Sequence, residues 1–228
     1  MKMKFGAIVV DGRNKIGGHV ASKNRGGAYL RTKVTPVNPQ TAAQSGVRNS
    51  FTENSQAWRG LTQSQRDSFN AAVSDFQKTD IFGDRRNPSG FNLFMELNQN
   101  LANIGVAPIT AAPLALAVEA VGSLSVTAAA GTPALSVVFT PTPVPAGHTL
   151  VIEATPQVGA GKTFVKNLFR KVAQVAPAGT SPENMLSAYT AKFGSLVAGQ
   201  KIVVRAKMVL NATGQTSQYL QATAIVAS

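Results

Sequence analysis

The sequence contains no cysteine, which excludes disulfide scaffolds, zinc ribbons and thiol nucleophiles together. Histidine is nearly absent as well. His19 and His148 lie far apart in the chain, so a metal centre built on clustered imidazoles has little to draw on. Charged residues make up only 14%, and carboxylates are the scarcer sign, with 10 Asp and Glu against 22 Lys and Arg. Long hydrophobic runs are missing too. The basic N-terminus, MKMKFGAIVVDGR, carries one short apolar run from Phe5 to Val10, too short for a signal-peptide core or a bilayer span. The stretch GVAPITAAPLALAVEAVGSL is broken by Pro108 and Pro113 and holds Glu119, so it reads as a linker over residues 105–119. These absences lead to an expectation of no metal, no cofactor and no membrane partner.

What is present is a chain of 228 residues with 44% hydrophobic content, enough for packed cores in two domains of about 100 residues each. The net charge of +12 favours polyanions as neighbours, whether nucleic acid or acidic protein surfaces. The excess is spread along both halves, which suits a solvated surface as well as a groove.

The first 35 residues read as a three-stranded β-meander. Phe5 to Val10 is a β-branched run, Asp11-Gly12 a turn signal, Ile16 to Ser22 a second strand and Lys23 to Gly27 a glycine-rich basic turn. Ala28 to Val34 alternates, with Ala28, Leu30, Thr32 and Val34 on one face and Tyr29, Arg31 and Lys33 on the other. Helical periodicity follows. Asn38 suits an N-cap, and Ala43, Val47, Phe51, Trp58 and Leu61 share one face. Thr62 and Gln65 form a capping-box signature for a second helix with Phe69, Ala72, Val73 and Phe76 as its stripe. A third helix from about Phe91 carries Phe94, Leu97, Leu101 and Ile104 and stops at Gly105. Residues 1–104 are thus expected to form an α+β module of a meander plus three helices.

From about Ala120 the period changes to two. Candidate strands are Ser123–Ala129, Ala134–Thr140, Thr149–Thr155, Phe164–Val175, Lys201–Val209 and Gln218–Val226, with a short helix within Ser181–Phe193. Strands at this spacing, joined by proline-rich turns, predict an all-β sandwich over residues 120–228.

Chemical motifs are thin. Gly159-Ala160-Gly161-Lys162-Thr163 looks like the end of a phosphate-binding loop, but the required earlier glycine is Pro156 and strand-like sequence flanks it. A hairpin turn is the better reading. Neither histidine has a nucleophile or orienting carboxylate nearby in sequence, and Asp75, Asp80 and Asp84 lack calcium-loop spacing. With Arg85 and Arg86 adjacent, that loop reads as solvated and locally paired. No catalytic residue and no small-molecule substrate is expected.

Two sets of interaction residues stand out in the meander. Arg13, Lys15, Lys23, Arg25, Arg31 and Lys33 could meet a polyanion, although Tyr29 alone gives little aromatic interleaving for single strands. Ile8, Val10, Tyr29 and Leu30 are candidate assembly contacts, because apolar residues occupy both faces of a thin sheet.

Several spaced motifs occur here in one order. They are Lys15-Ile16-Gly17-Gly18, Tyr29-Leu30-Arg31, and Asn38-Pro39-Gln40-Thr41 with Gln44 and Arg48. Trp58-Arg59-Gly60-Leu61-Thr62 with Gln65-Arg66 follows, then Ser89-Gly90-Phe91-Asn92-Leu93-Phe94. Over roughly residues 5–104 this pattern resembles a family of uncharacterised phage and prophage proteins, and residues 120–228 resemble a fibronectin type III or immunoglobulin-like domain. The resemblance implies a non-catalytic virion structural protein, made in the host cytoplasm and assembled in multiple copies with itself and other virion proteins. Head–tail ring or collar, tail and capsid decoration are the places it implies. The alternative is a basic, DNA-associated packaged protein; an NTP-binding enzyme would rest on Gly159–Thr163 alone.

Overall fold

Glycine decides where the N-terminal strands end. The computed structural model describes residues 1–4, 6, 11–35 and 37–228. In it β1 (Lys2–Met3), β2 (Asn14–Ile16), β3 (His19–Asn24) and β4 (Gly27–Thr32) form an antiparallel sheet in the order β1-β4-β3-β2. The expected three-stranded meander is therefore a four-stranded sheet. The expected strand from Ile16 to Ser22 is cut because Gly17-Gly18 reverses the chain, with Gly17 at φ +56°. Of the expected strand Phe5 to Val10, only Gly6 lies among the described residues.

Caps then set the helices. α1 (Ala42–Gly60) begins after Thr41, whose hydroxyl accepts from the Gln44 N–H, so Asn38 lies outside the helix. α2 (Gln63–Ala72) carries the full Thr62/Gln65 capping box. The polar loop after it holds a small hairpin, β5 (Lys78–Thr79) with β6 (Arg85–Arg86). α3 (Gly90–Ile104) is capped by Ser89 and stopped by Gly105 at φ +77°. Leu61, Phe69, Leu93, Phe94 and Leu97 are buried together between the three helices, and the Trp58 ring meets Phe69, Phe91 and Phe94 at 5.9, 5.7 and 5.3 Å.

The second half is built from β7 (Ser123–Ala129), β8 (Ala134–Thr140), β9 (His148–Ala154), β10 (Arg170–Val175), β11 (Glu183–Asn184), α4 (Leu186–Phe193), β12 (Lys201–Leu210) and β13 (Leu220–Ile225). A three-stranded sheet, β11-β8-β7, and a four-stranded sheet, β10-β9-β12-β13, share one apolar core. Alternation explains it: Ile202, Val204, Ala206 and Met208 point into that core, while Val203, Arg205, Lys207 and Val209 point to the opposite face. The expected strand Phe164–Val175 pairs only from Arg170. Before it, Leu168 donates to the Val165 carbonyl in a turn, and Val165 and Phe169 pack against Val158 and Val203 on the outer face of the four-stranded sheet.

That outer face is also where the helical half docks. Leu101 and Ile104 at the end of α3 are buried against Val151 and Val209. Four such side chains contribute about 6–12 kcal/mol of gross burial energy before ordering costs. Residues 105–119 have no regular structure, yet they are tied to both halves. Asn98, itself buried, bonds both the N–H and the carbonyl of Ile109, and Gln215 bonds the Leu116 N–H and the Leu114 carbonyl. The β12–β13 turn closes onto α3, with Asn100 donating to the Gly214 carbonyl at 3.0 Å.

Gly214 sits at φ +73°, and a Cβ there would lie 2.3 Å from the Leu97 carbonyl oxygen; Gly105, at φ +77°, faces open space. Gly105→Ala is therefore expected to cost about 1–2 kcal/mol from its backbone alone. Gly214→Ala adds overpacking of α3 and should cost about 2–5 kcal/mol in total. Urea denaturation of both variants checks this; equal midpoints would refute the docking account.

Candidate interaction surface

Register decides which N-terminal side chains can act together. Lys15 pairs with Val20 and Val20 with Arg31, so these three form one row across β2, β3 and β4. The next row on that face is Ser22, Tyr29 and Lys2. Leu30 and Lys23 lie on the opposite face, with Ala21 and Ala28 as their partners. Tyr29 and Leu30 therefore cannot serve a single contact face. Ile8 and Val10 lie outside the described residues. Arg25 is at the exposed β3–β4 turn, Lys33 follows β4, and Arg13 is paired with Asp11 at 3.1 Å.

One carboxylate fixes this sheet to the rest of the module. The Asp80 side chain is only 2% exposed and sits inside the β5–β6 hairpin. It accepts from the Phe82 and Asp84 N–H groups at 2.8 and 3.1 Å and from Arg86 Nε at 3.0 Å, with Lys2 Nζ 4.0 Å away. Lys4 adds an ion pair to Asp84 at 2.6 Å and lies over the Phe82 ring, while the Arg86 guanidinium rests against Gly27. Loss of solvent alone would raise the Asp80 pKa. The hydrogen bonds and the two cations outweigh it and hold the carboxyl below its ordinary range. The loop is thus not the solvated, merely local pairing its sequence suggests, because Lys2 and Lys4 come from the far end of the chain. The Asp80 to Asp84 segment with Gly83 does carry a legible Asx-turn signal; its distant partners do not.

α1 supplies the apolar part of the surface. It runs antiparallel to α3, with Ser50 bonded to Gln99 at 3.0 Å and Trp58 beside Phe91 and Phe94. With Ser50 level with Gln99, α3 continues past Val47 to end about level with Ser45, yet the N-terminal apolar residues of α1 turn away from it. The predicted stripe is continuous in direction, but only its C-terminal part is covered. Val47 is 68% and Phe51 54% exposed, and Ala43 is exposed as well.

The remaining polar clusters are structural. On the outer face of the four-stranded sheet, Glu153 pairs with Arg205 at 2.6 Å and accepts from the Tyr219 hydroxyl at 3.0 Å. The Arg205 guanidinium stacks 4.1 Å from both the Phe169 and Tyr219 rings. Burial, then the Glu153 charge, pushes the Tyr219 phenol up to about 12. With both its oxygens occupied, Glu153 is held on the outer face of the four-stranded sheet by Arg205 and Tyr219. At Gly159–Thr163 the chain makes a turn, Lys162 N–H to the Gly159 carbonyl at 2.9 Å, with no helix following it. The two histidines stay apart, His19 exposed on β3 and His148 bonded to the Ala146 carbonyl. A cleft of about 270 Å³ where α3 meets Gly214–Thr216 contains Glu96, already held by Lys78 at 2.5 Å.

A carboxyl with a lowered native pKa contributes stability that is complete above the unfolded-state value near 3.8 and is lost as pH falls through the native value. Amide protection factors in residues 1–4 and 78–86 should therefore fall only below about pH 4. Asp80→Asn should show that loss of protection already at pH 7, with the β7–β13 strands unchanged. Identical protection in variant and parent would remove Asp80 from its role.

Comparison of the chain with protein-family models, with curated proteins and with solved structures finds no match.

Proposed function

We propose that this chain is a non-catalytic structural component of a bacteriophage virion, assembled in multiple copies, with its N-terminal module making the contacts between copies. The observation that carries the reading is the exposed N-terminal apolar stripe of α1. An amphipathic helix whose Ala43, Val47 and Phe51 face solvent is a stable design only when another surface covers them. The covering surface is a second copy of the chain. The phage-like motifs span the same module, from Lys15 to Phe94. The three-plus-four strand arrangement supports the fibronectin type III-like reading of residues 120–228, a scaffold that displays loops at its two ends. Ring, tail and decoration positions are all served by this division of labour.

Val47→Ser with Phe51→Ser should leave the helical core intact, since neither side chain enters it, and should lower the assembled fraction in sedimentation velocity by at least tenfold. Incorporation of the same double variant into particles, read by mass spectrometry of purified virions, should fall by a similar factor. A double variant that assembles like the parent, or a parent that is absent from particles, would overturn the proposal.

A further inference from the structure

The sheet register points to a second surface, independent of the assembly helix. We propose that the face of the N-terminal sheet bearing Lys15, Arg31 and Lys33 binds the phosphate backbone of duplex nucleic acid without reading its sequence. Between Met1 and Thr35 the chain carries eight lysines and arginines and one carboxylate, Asp11. That carboxylate is taken by Arg13, and the nearest hairpin carboxylates, Asp80 and Asp84, are taken by Lys2, Lys4 and Arg86. Lys15, Arg31 and Lys33 pair with no carboxylate among the described residues, and all three are exposed. They also share a face. Lys15 and Arg31 flank Val20 in one cross-strand row, about 10 Å apart, and alternation carries Lys33 to the same side about 7 Å from Arg31. Long side chains at these separations span the distance between phosphates that border a groove, about 6 Å for the minor and 12 Å for the major groove.

Two observations select the partner. A protein interface needs a desolvated apolar centre with few lysines, whereas this face offers Val20 alone among cations, Ser22 and Tyr29. Nucleic-acid interfaces are polar and strongly positive, as this one is. A single tyrosine provides no ladder on which successive unpaired bases would stack, so the duplex is favoured over the single strand.

The test uses the full chain and a fluorescent random-sequence DNA duplex, with anisotropy read across a salt series. Three phosphate contacts give a slope of log K against log salt near −2.7, so affinity should fall about 40-fold between 50 and 200 mM. Lys15→Gln, Arg31→Gln and Lys33→Gln should each flatten the slope by about 1, and Lys162→Gln with Lys166→Gln on the sandwich should not change it. Circular dichroism and thermal melts of each single variant establish that its sheet persists. Absence of binding at 50 mM salt, slopes unmoved by the three variants, or equal competition by polyglutamate at matched charge would each overturn the proposal. The last outcome would assign the face to an acidic protein surface instead.

Discussion

The packing of α3 is the constraint on which the rest of the molecule depends. One 15-residue helix supplies Leu93, Phe94 and Leu97 to the helical core and Leu101 and Ile104 to the outer face of the four-stranded sheet. No other element belongs to both. Because the β12–β13 turn approaches the Leu97 carbonyl so closely, the helix has no room to slide or roll. Everything N-terminal connects to this helix: α1 and α2 lie on α3, Lys78 ties the hairpin to Glu96 of α3, and Lys2 and Lys4 tie the sheet to the hairpin. Asn98 and Gln215 complete the joint by satisfying backbone groups of the connecting strap that would otherwise be buried without partners.

How far the sequence reveals this structure depends on the range of the interactions involved. β7 and β8 match the residues their alternation predicts, and the Thr62/Gln65 box and the Gly105 stop occur where local chemistry places them. These are signals carried within a few residues. The Gly17-Gly18 reversal is equally local, but Ile16 to Ser22 reads as one strand across it. Misreadings arise where the partner is distant. Asp80 has Lys2 from the far end of the chain beside it, and the Val165–Phe169 segment packs against Val203 on another strand. The apolar stripe of α1 is correctly placed by its period. What period cannot report is which edge of the stripe the partner helix covers: Ser50 and Trp58 meet α3, while Val47 and Phe51 stay outside. Among the candidate interaction residues, pairing register separates Tyr29 from Leu30 and unites Lys15 with Arg31, which composition alone treats as one basic patch.

The two halves are consequently built on different principles. The C-terminal half turns nearly all of its aliphatic residues inward, and its polar fasteners, Glu153 with Arg205 and Tyr219, hold covers on one face. The N-terminal half spends its apolar residues on a narrow core and leaves the rest, along with most of its cations, facing solvent. Such an arrangement gives a packed platform carrying a module whose exposed side chains are apolar and cationic.

The means of attachment differ in kind as well. The sandwich grips α3 through apolar burial, whereas the N-terminal sheet is held to the β5–β6 hairpin largely by ion pairs around Asp80 and Asp84. Dissolved salt acts on these two joints in opposite directions, screening the exposed charges of one while excluded anions such as sulfate tighten the other. The molecule thus contains a joint that ionic strength loosens next to one that it firms. The N-terminal sheet is the part of the molecule whose position registers a change in ionic strength.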